Sequence, residues 1–336
     1  MCKQVCVALC GVVMALTPLA ASAAEPGETR LYECMRVKEP PVIDGALNDA
    51  CWQQAAKTNA FVRVMRGPDQ VEQTSFQVAY DDAHLYLAVT CLESSPQAVK
   101  ATVKTDDVAN VMGSDDSLEI FIRPDLIRPD YYQFAANTIG TRYDARGFDP
   151  SWSSHWQAAA TVGAEAWYLE CAFDFASLGR FGVPGVVWGF NVCRDRYAGG
   201  DTDWSSWSFT PTGFHAPDRF GQLIFGGQPG SGDRAVLIEC ARYARLSIDL
   251  EGKINEALAT IRSGDLGKLG AEDKARLQGQ IDAADRSLKG LRDLLAQPWI
   301  LDTRAWVRVT ADLAKAAEDL DEAAWVVRFE KLLADD

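Results

Sequence analysis

The hydrophobic period of this chain changes once, and that change divides it into two kinds of structure. Up to about residue 226, apolar residues recur at every second position in short runs bounded by turn-forming residues. Phe76 to Tyr80, Leu85 to Leu92, Leu118 to Ile122, Tyr131 to Ala136, Trp167 to Phe173, Val186 to Val192 and Leu223 to Phe225 all read as strands, because a period of two lines one face of a sheet. No regular helical pattern lies between them, so a βαβ arrangement is disfavoured. The pattern predicts a mainly β domain over residues 30–226, an antiparallel β-sandwich of jelly-roll type.

Residues 227–233, rich in Gly, with Pro and Ser, read as a linker. After it the period lengthens to that of a helix. Leu250, Ile254, Leu258 and Ile261 form one stripe. Leu277, Ile281, Ala284, Leu288, Leu291 and Leu295 form a second, and Trp306, Leu313, Leu320 and Val327 recur every seven residues. Glycines 264, 267 and 270 separate the first two helices, and Pro298 ends the second. Residues 234–336 are therefore expected to form a three-helix bundle. The seven-residue spacing also suits a coiled coil, which leaves a protein partner or self-association through these helices open.

The first 24 residues read as a signal peptide. Lys3 supplies the basic start, Val5 to Leu19 the apolar stretch, and Ala21-Ser22-Ala23 a small-residue cleavage site. That predicts an exported protein, periplasmic or extracellular. No later segment is apolar enough to span a membrane. The net charge of −14 argues against nucleic acid and anionic membranes as partners. Beyond the leader, six cysteines remain: Cys34, Cys51, Cys91, Cys171, Cys193 and Cys240. An even number permits disulfides in an oxidising compartment. Cys91 and Cys171 nonetheless share strand faces with Leu, Val and Phe and look like core thiols.

Four markers occur in order. The first is Pro41-Val42-Ile43-Asp44-Gly45-Ala46-Leu47-Asn48-Asp49-Ala50-Cys51-Trp52, a tight turn leading into a short helix that carries Trp52. The second, Val78 to Val89, is a hairpin around Asp81-Asp82. The third, Asp115-Asp116-Ser117-Leu118-Glu119-Ile120-Phe121-Ile122, is a strand that puts Glu119 on the face opposite Leu118, Ile120 and Ile122. The fourth is Pro217-Asp218-Arg219-Phe220-Gly221-Gln222-Leu223. Together they resemble the type-9 carbohydrate-binding modules, secreted β-sandwiches that bind sugars, over residues 30–226. The resemblance implies a non-catalytic protein that binds an oligo- or polysaccharide and works alongside glycoside hydrolases in polysaccharide degradation or uptake.

Binding members of that family clamp a sugar ring between two tryptophans. The resemblance puts those positions at Gly113 and Phe214 here, and it puts a sugar-binding arginine at Ala135. Phe214, with neighbouring His215, and Glu119 are then the implied contacts. Trp152 and Trp204 are further candidates, because aromatic faces pack on sugar C–H groups and loop aromatics are available to do so. Asn137, with Glu119, is a candidate for binding hydroxyls. The paired carboxylates Asp115, Asp116, Asp81 and Asp82 are candidate calcium ligands, since calcium gathers six to eight oxygens. Asp201 and Asp203 form a weaker pair.

Catalysis has little support. The chain has three histidines, His84, His155 and His215, and no GxSxG, HExxH or phosphate loop. Acid pairs are too numerous to single out the two carboxylates of a glycosidase. Two other readings remain. One is a b-type haem protein of similar sandwich fold, with Met112 or Met65 and His155 or His215 as axial ligands. The other is a degenerate module that docks partners through its helices.

Overall fold

The computed structural model describes residues 29–334 apart from 59, 68–70, 127, 201, 228–233, 265–268 and 298–300, with side chains described to residue 329. The leader segment, most of the linker, Asp201 and Pro298 lie outside the described residues. Twelve strands are present: β1 (Leu31–Arg36), β2 (Val62–Arg63), β3 (Thr74–Tyr80), β4 (His84–Leu92), β5 (Ser117–Arg123), β6 (Tyr132–Asn137), β7 (Arg142–Arg146), β8 (Trp156–Val162), β9 (Ala166–Asp174), β10 (Val187–Arg196), β11 (Asp203–Ser206) and β12 (Gly221–Phe225). Three short helices accompany them, α1 (Ala50–Gln54), α2 (Asn110–Ser114) and α3 (Phe175–Leu178). Three long ones follow, α4 (Arg234–Arg262), α5 (Ala271–Leu295) and α6 (Thr303–Ala334).

The strands run in the order β7-β6-β5-β10-β12-β1-β3-β4-β9-β8, with β11 and β2 extending from β10. The predicted mainly-β sandwich with a helical C-terminal region is what forms, with one change of topology. β1, which the sequence pattern did not mark as a strand, pairs in parallel with both neighbours. Its first half lies on β12 (Leu31 opposite Gln222, Cys34 opposite Phe225) and its last two residues lie on β3 (Met35 opposite Ala79). The two layers are thereby joined into one mixed, nearly closed sheet.

Alternation places the core. Leu118, Ile120 and Ile122 of β5, Leu85, Leu87, Val89 and Cys91 of β4, and Trp167, Leu169, Cys171 and Phe173 of β9 point between the layers and are buried. Phe76, Phe190 and Trp207 meet edge-on at the centre, with ring centroids 5.2 Å (Phe76–Trp207) and 5.7 Å (Phe76–Phe190) apart, a favoured arrangement for aromatic quadrupoles. All six cysteines are buried and free.

The Asp44-Gly45 turn is clipped to β9. The backbone N–H groups of Asp44 and Gly45 donate to Glu170 Oε2 at 3.1 and 2.8 Å, and Trp52 Nε1 donates to Oε1 at 2.7 Å. Gly45 has φ +80°, and a Cβ there would meet the Ala160 carbonyl carbon at 3.0 Å, so glycine is required both by conformation and by space.

The helices pack on the sandwich through a hydrophobic cluster that runs from the inter-sheet core into the bundle without a break. At the junction the buried guanidinium of Arg180 donates to Glu239 Oε2 on α4 at 3.1 and 2.9 Å, to Asp125 Oδ2 at 3.1 Å and to the Tyr243 hydroxyl at 3.1 Å. Thr303, opening α6, donates to the Pro184 carbonyl. Within the bundle Leu250, Ile254, Leu277, Leu288, Trp306, Leu313 and Leu320 are buried as their spacing predicts, but Leu295 is exposed and Leu294 takes the inward position. No helix among the described residues is long and apolar enough to cross a membrane.

Candidate functional site

The outer face of the β6-β5-β10 sheet carries side chains that a purely structural sheet would not bury. Register sets Glu119 between Ala135 and Cys193, Ser117 between Asn137 and Asp195, and Phe121 between Gln133 and Asn191. Three strands thus contribute to one strip. Gln133 Nε2 donates to Glu119 Oε2 at 2.5 Å, and Ser117 Oγ donates to Asp195 Oδ2 at 3.3 Å. The Glu119 and Asp195 carboxyls are near enough for each to shift the other's pKa.

Neither carboxyl sits easily as an anion. Glu119 is only 6% exposed, and burial pushes its pKa up to about 7 against a pull downward from Gln133 and Asp195. Asp195 is pushed well above the carboxylate range, first by burial and then by the neighbouring Glu119 charge. Two adjacent carboxyls in a poorly solvated place hold a proton between them at neutral pH. The pair is therefore both a donor and an acceptor, suited to hydroxyl groups.

Aromatic rings flank this strip. On one side Phe121 packs under Tyr131, His215 and Phe220, with centroids 6.2, 5.2 and 5.4 Å away. The Tyr131 hydroxyl is 2.8 Å from His215 Nδ1. Burial depresses the His215 pKa, which favours the neutral ring that can take the Tyr131 proton in a hydrogen bond. Phe148 stacks on His215 at 4.4 Å and 22° while remaining 80% exposed. On the other side Trp204 stands opposite Asp195 and is 42% exposed. Near it lies Tyr197, whose hydroxyl donates to the Met112 carbonyl at 3.0 Å. Trp204, Met65, Arg63, Arg66 and Arg196 line a groove of about 650 Å³ beside it.

The candidate residues divide accordingly. Glu119, His215 and Trp204 share the outer face. Phe214 is half-buried against the Phe121, Tyr131 and Phe220 cluster, so it supports the platform whose exposed ring is Phe148. Trp152 lies elsewhere. It packs on Tyr132 and Phe134, at 4.6 and 5.9 Å, and Phe134 faces the inter-sheet core. The open face that alternation assigned to Glu119 is largely closed, because α2 lies across it. Val111 and Met112 pack on Ala135, Tyr143 and Ala145, and Met112 Sδ accepts from Gln133 at 3.1 Å. Gly113, the position of one family tryptophan, is exposed on this same short helix.

Asn137 is fully buried and consumed internally. It donates to the Val103 carbonyl and to Asp115, both at 2.9 Å, and accepts from Ile139 and Thr141. The aspartate pairs serve as clamps. Asp115 accepts from the N–H groups of Thr102 and Val103 and from the Thr102 hydroxyl. Asp116 accepts from the N–H groups of Lys100, Tyr197 and Ala198. Asp81 caps its own turn through Ala83 and His84 and accepts from the Tyr86 hydroxyl, and Asp82 pairs with Arg36. A cation at any of these would have to displace donors already in place. Among the described residues no three His, Cys, Asp or Glu side chains converge as a metal-binding group. Of the axial pairs considered for haem, Met112 faces Gln133, His215 is engaged by Tyr131, and the His155 backbone N–H donates to Ser177 Oγ.

Sequence reasoning missed Asp195 and Gln133 as partners of Glu119. The alternation of β10, with Asp195 between Arg194 and Arg196, was the available signal. It did not single out Phe148 among the loop aromatics that could replace the family's clamp, although the Gly-Phe-Asp-Pro sequence marks a turn.

The fold is thus a β-sandwich with an aromatic-flanked polar strip on one sheet face. The sequence model described as "Carbohydrate family 9 binding domain-like" matches residues 43–228, more than half of the chain, and the chain belongs to that family. Similar solved structures include a Bacteroides uniformis protein assigned as carbohydrate-binding (17% identity, 59% of this chain and 100% of that one, TM-score 0.48). Another is a family 9 carbohydrate-binding module from Caldicellulosiruptor kristjanssonii in complex with cellotriose (16% identity, 61% and 97%, TM-score 0.45). No curated protein matches the chain.

Proposed function

We propose that this is an exported, non-catalytic carbohydrate-binding protein of a polysaccharide-processing system, and that its ligand lies along the outer strip between Trp204 and the Phe148–His215 stack. The observation that carries the reading is Phe148, a large apolar ring held 80% exposed by stacking on His215. An exposed, braced aromatic beside buried hydroxyl-binding groups suits a sugar, whose C–H face packs on the ring while its hydroxyls reach polar partners. The ligand is then neutral or weakly charged at this strip, because the Glu119–Asp195 pair has no compensating cation and already shares its proton. Affinity is modest, since two separated rings bury less of a ligand than a two-sided clamp. Affinity electrophoresis in gels containing soluble β-glucans tests the proposal. Retardation of the full chain that is reduced in both Phe148→Ala and Trp204→Ala supports it, and unretarded migration across a panel of glycans refutes it.

A second reading concerns the helices. Trp325 and Phe329 on α6 are exposed and stacked at 5.2 Å, and such a pair suits a partner protein or a second copy. Concentration-dependent sedimentation that disappears in Trp325→Ser would favour self-association.

A further inference from the structure

A second concavity lies between the sandwich and the helices, far from neutral in character. It has a volume of about 480 Å³, and five arginines and three aspartates line it, in a chain whose net charge is −14. The β5–β6 loop contributes Arg128, β7 Arg146, the segment after α3 Arg180, and α4 Arg242 and Arg245. Two carboxylates are each shared by two of these arginines. Asp125 meets Arg180 at 3.1 Å and Arg128 at 3.8 Å, and Glu239 meets Arg180 at 2.9 Å and Arg242 at 3.7 Å. Arg146 pairs with Asp130 at 3.1 Å. Arg245 forms no ion pair among the described residues, and it stands exposed one helical turn from Arg242. Guanidinium donors are therefore in excess over carboxylates around a cavity of ligand size. Tyr132 adds an aromatic wall, braced by Trp152 at 4.6 Å.

We infer that this cavity is a binding site for a carboxylate-bearing saccharide of the uronate class. Guanidinium forks match a carboxylate in two parallel hydrogen bonds, and the Tyr132 ring suits the sugar's C–H face. The choice of a saccharide as carrier of the carboxylate rests on the proposed function; the site itself does not depend on the outer strip. Because α4 supplies two of the arginines, the helical region takes part in recognition.

The test is calorimetric titration of the full chain with a trigalacturonate and with its carboxyl-reduced, neutral counterpart. The charged ligand is expected to bind at least about tenfold more tightly and to weaken as salt rises. Arg245→Ala and Arg128→Ala, both at exposed positions, should each lower that affinity by about tenfold with unchanged melting temperature. Phe148→Ala should leave it unaltered. Equal binding of the two ligands, no binding of either, full uronate affinity in both arginine variants, or loss of uronate binding in Phe148→Ala would each overturn the inference. Competition by inorganic phosphate as strong as that by the uronate would reduce the site to a simple anion site and overturn the saccharide assignment. A chain that binds the uronate but no neutral glucan would leave this inference standing and remove the outer-strip proposal.

Discussion

Two buried glutamates make an instructive pair. Glu93, just beyond β4, lies among cations. Arg194 Nη2 donates to it at 3.0 Å, Arg196 Nε and Nη2 at 2.8 and 2.7 Å, and the Ser95 N–H at 2.9 Å. Burial alone would raise its pKa, but these donors outweigh burial and hold it below the usual carboxylate range. Glu119, on β5, has an amide and a second acid for company, and its pKa is driven the other way. Both side chains are almost closed to solvent. The first arrangement satisfies a buried charge with partners fixed by the fold. The second leaves two acids without a compensating cation, nearly closed to solvent beneath α2. Poorly compensated polar groups cost stability and are found where binding needs them.

The contrast can be broken most forcefully at Arg194. Arg194→Ala leaves Glu93 short of a partner and also removes a donor from the Leu92 carbonyl. Unfolding by denaturant should show a loss of about 3–5 kcal/mol, and a change under 1 kcal/mol would mean the triad is not the anchor described. The next effect is a difference of sign with pH. A folded-state pKa raised to about 7 gives Glu119 a stabilising contribution that is complete below its unfolded value and is lost as pH rises through the interval from about 4.5 to 7. The size is on the order of 3 kcal/mol. Glu93, whose pKa is lowered, contributes above the carboxylate range and loses its contribution on acidification. Denaturation curves between pH 4.5 and 8 should therefore flatten in Glu119→Gln and keep their full slope in Glu93→Gln; identical slopes would erase the distinction.

Smaller again is Phe148→Ala, which should weaken glucan binding by about 1 kcal/mol, roughly fivefold, with no shift in melting temperature because the ring is exposed. Calcium sharpens the comparison from the other end. With the aspartate pairs already occupied by N–H and O–H donors, addition of calcium or a chelator is expected to leave both melting temperature and sugar affinity unchanged.

Much of this was legible before any coordinates. Strict alternation in β4, β5 and β9 fixed which side of each strand faces the core, and it put Glu119 on the outer side. β1, β7 and β8 escaped notice for identifiable reasons. Leu31-Tyr32-Glu33-Cys34-Met35-Arg36 carries apolar residues on both faces, Leu31 and Met35 on one and Tyr32 and Cys34 on the other, which blurs its period of two. Arg142 to Arg146 is polar at both ends, and the alanines of Trp156-Gln157-Ala158-Ala159-Ala160 favour helix as readily as strand. The site was read only in part. Residue type marked the carboxylates and aromatics, but occupancy depends on partners distant in sequence. Asp116 is consumed by the N–H groups of Tyr197 and Ala198, and Glu119 is paired with Asp195. A single strand's pattern contains no information about which distant loop will spend its donors there.

The strand that joins both layers has a consequence for how the molecule is made. Residues 31–34 find their partners only at 222–225, so the seam cannot be sewn during synthesis until nearly two hundred further residues have left the ribosome. Throughout that interval the early strands wait with an unpaired edge. An unpaired edge of this kind is a template for wrong pairing with another chain until the seam closes.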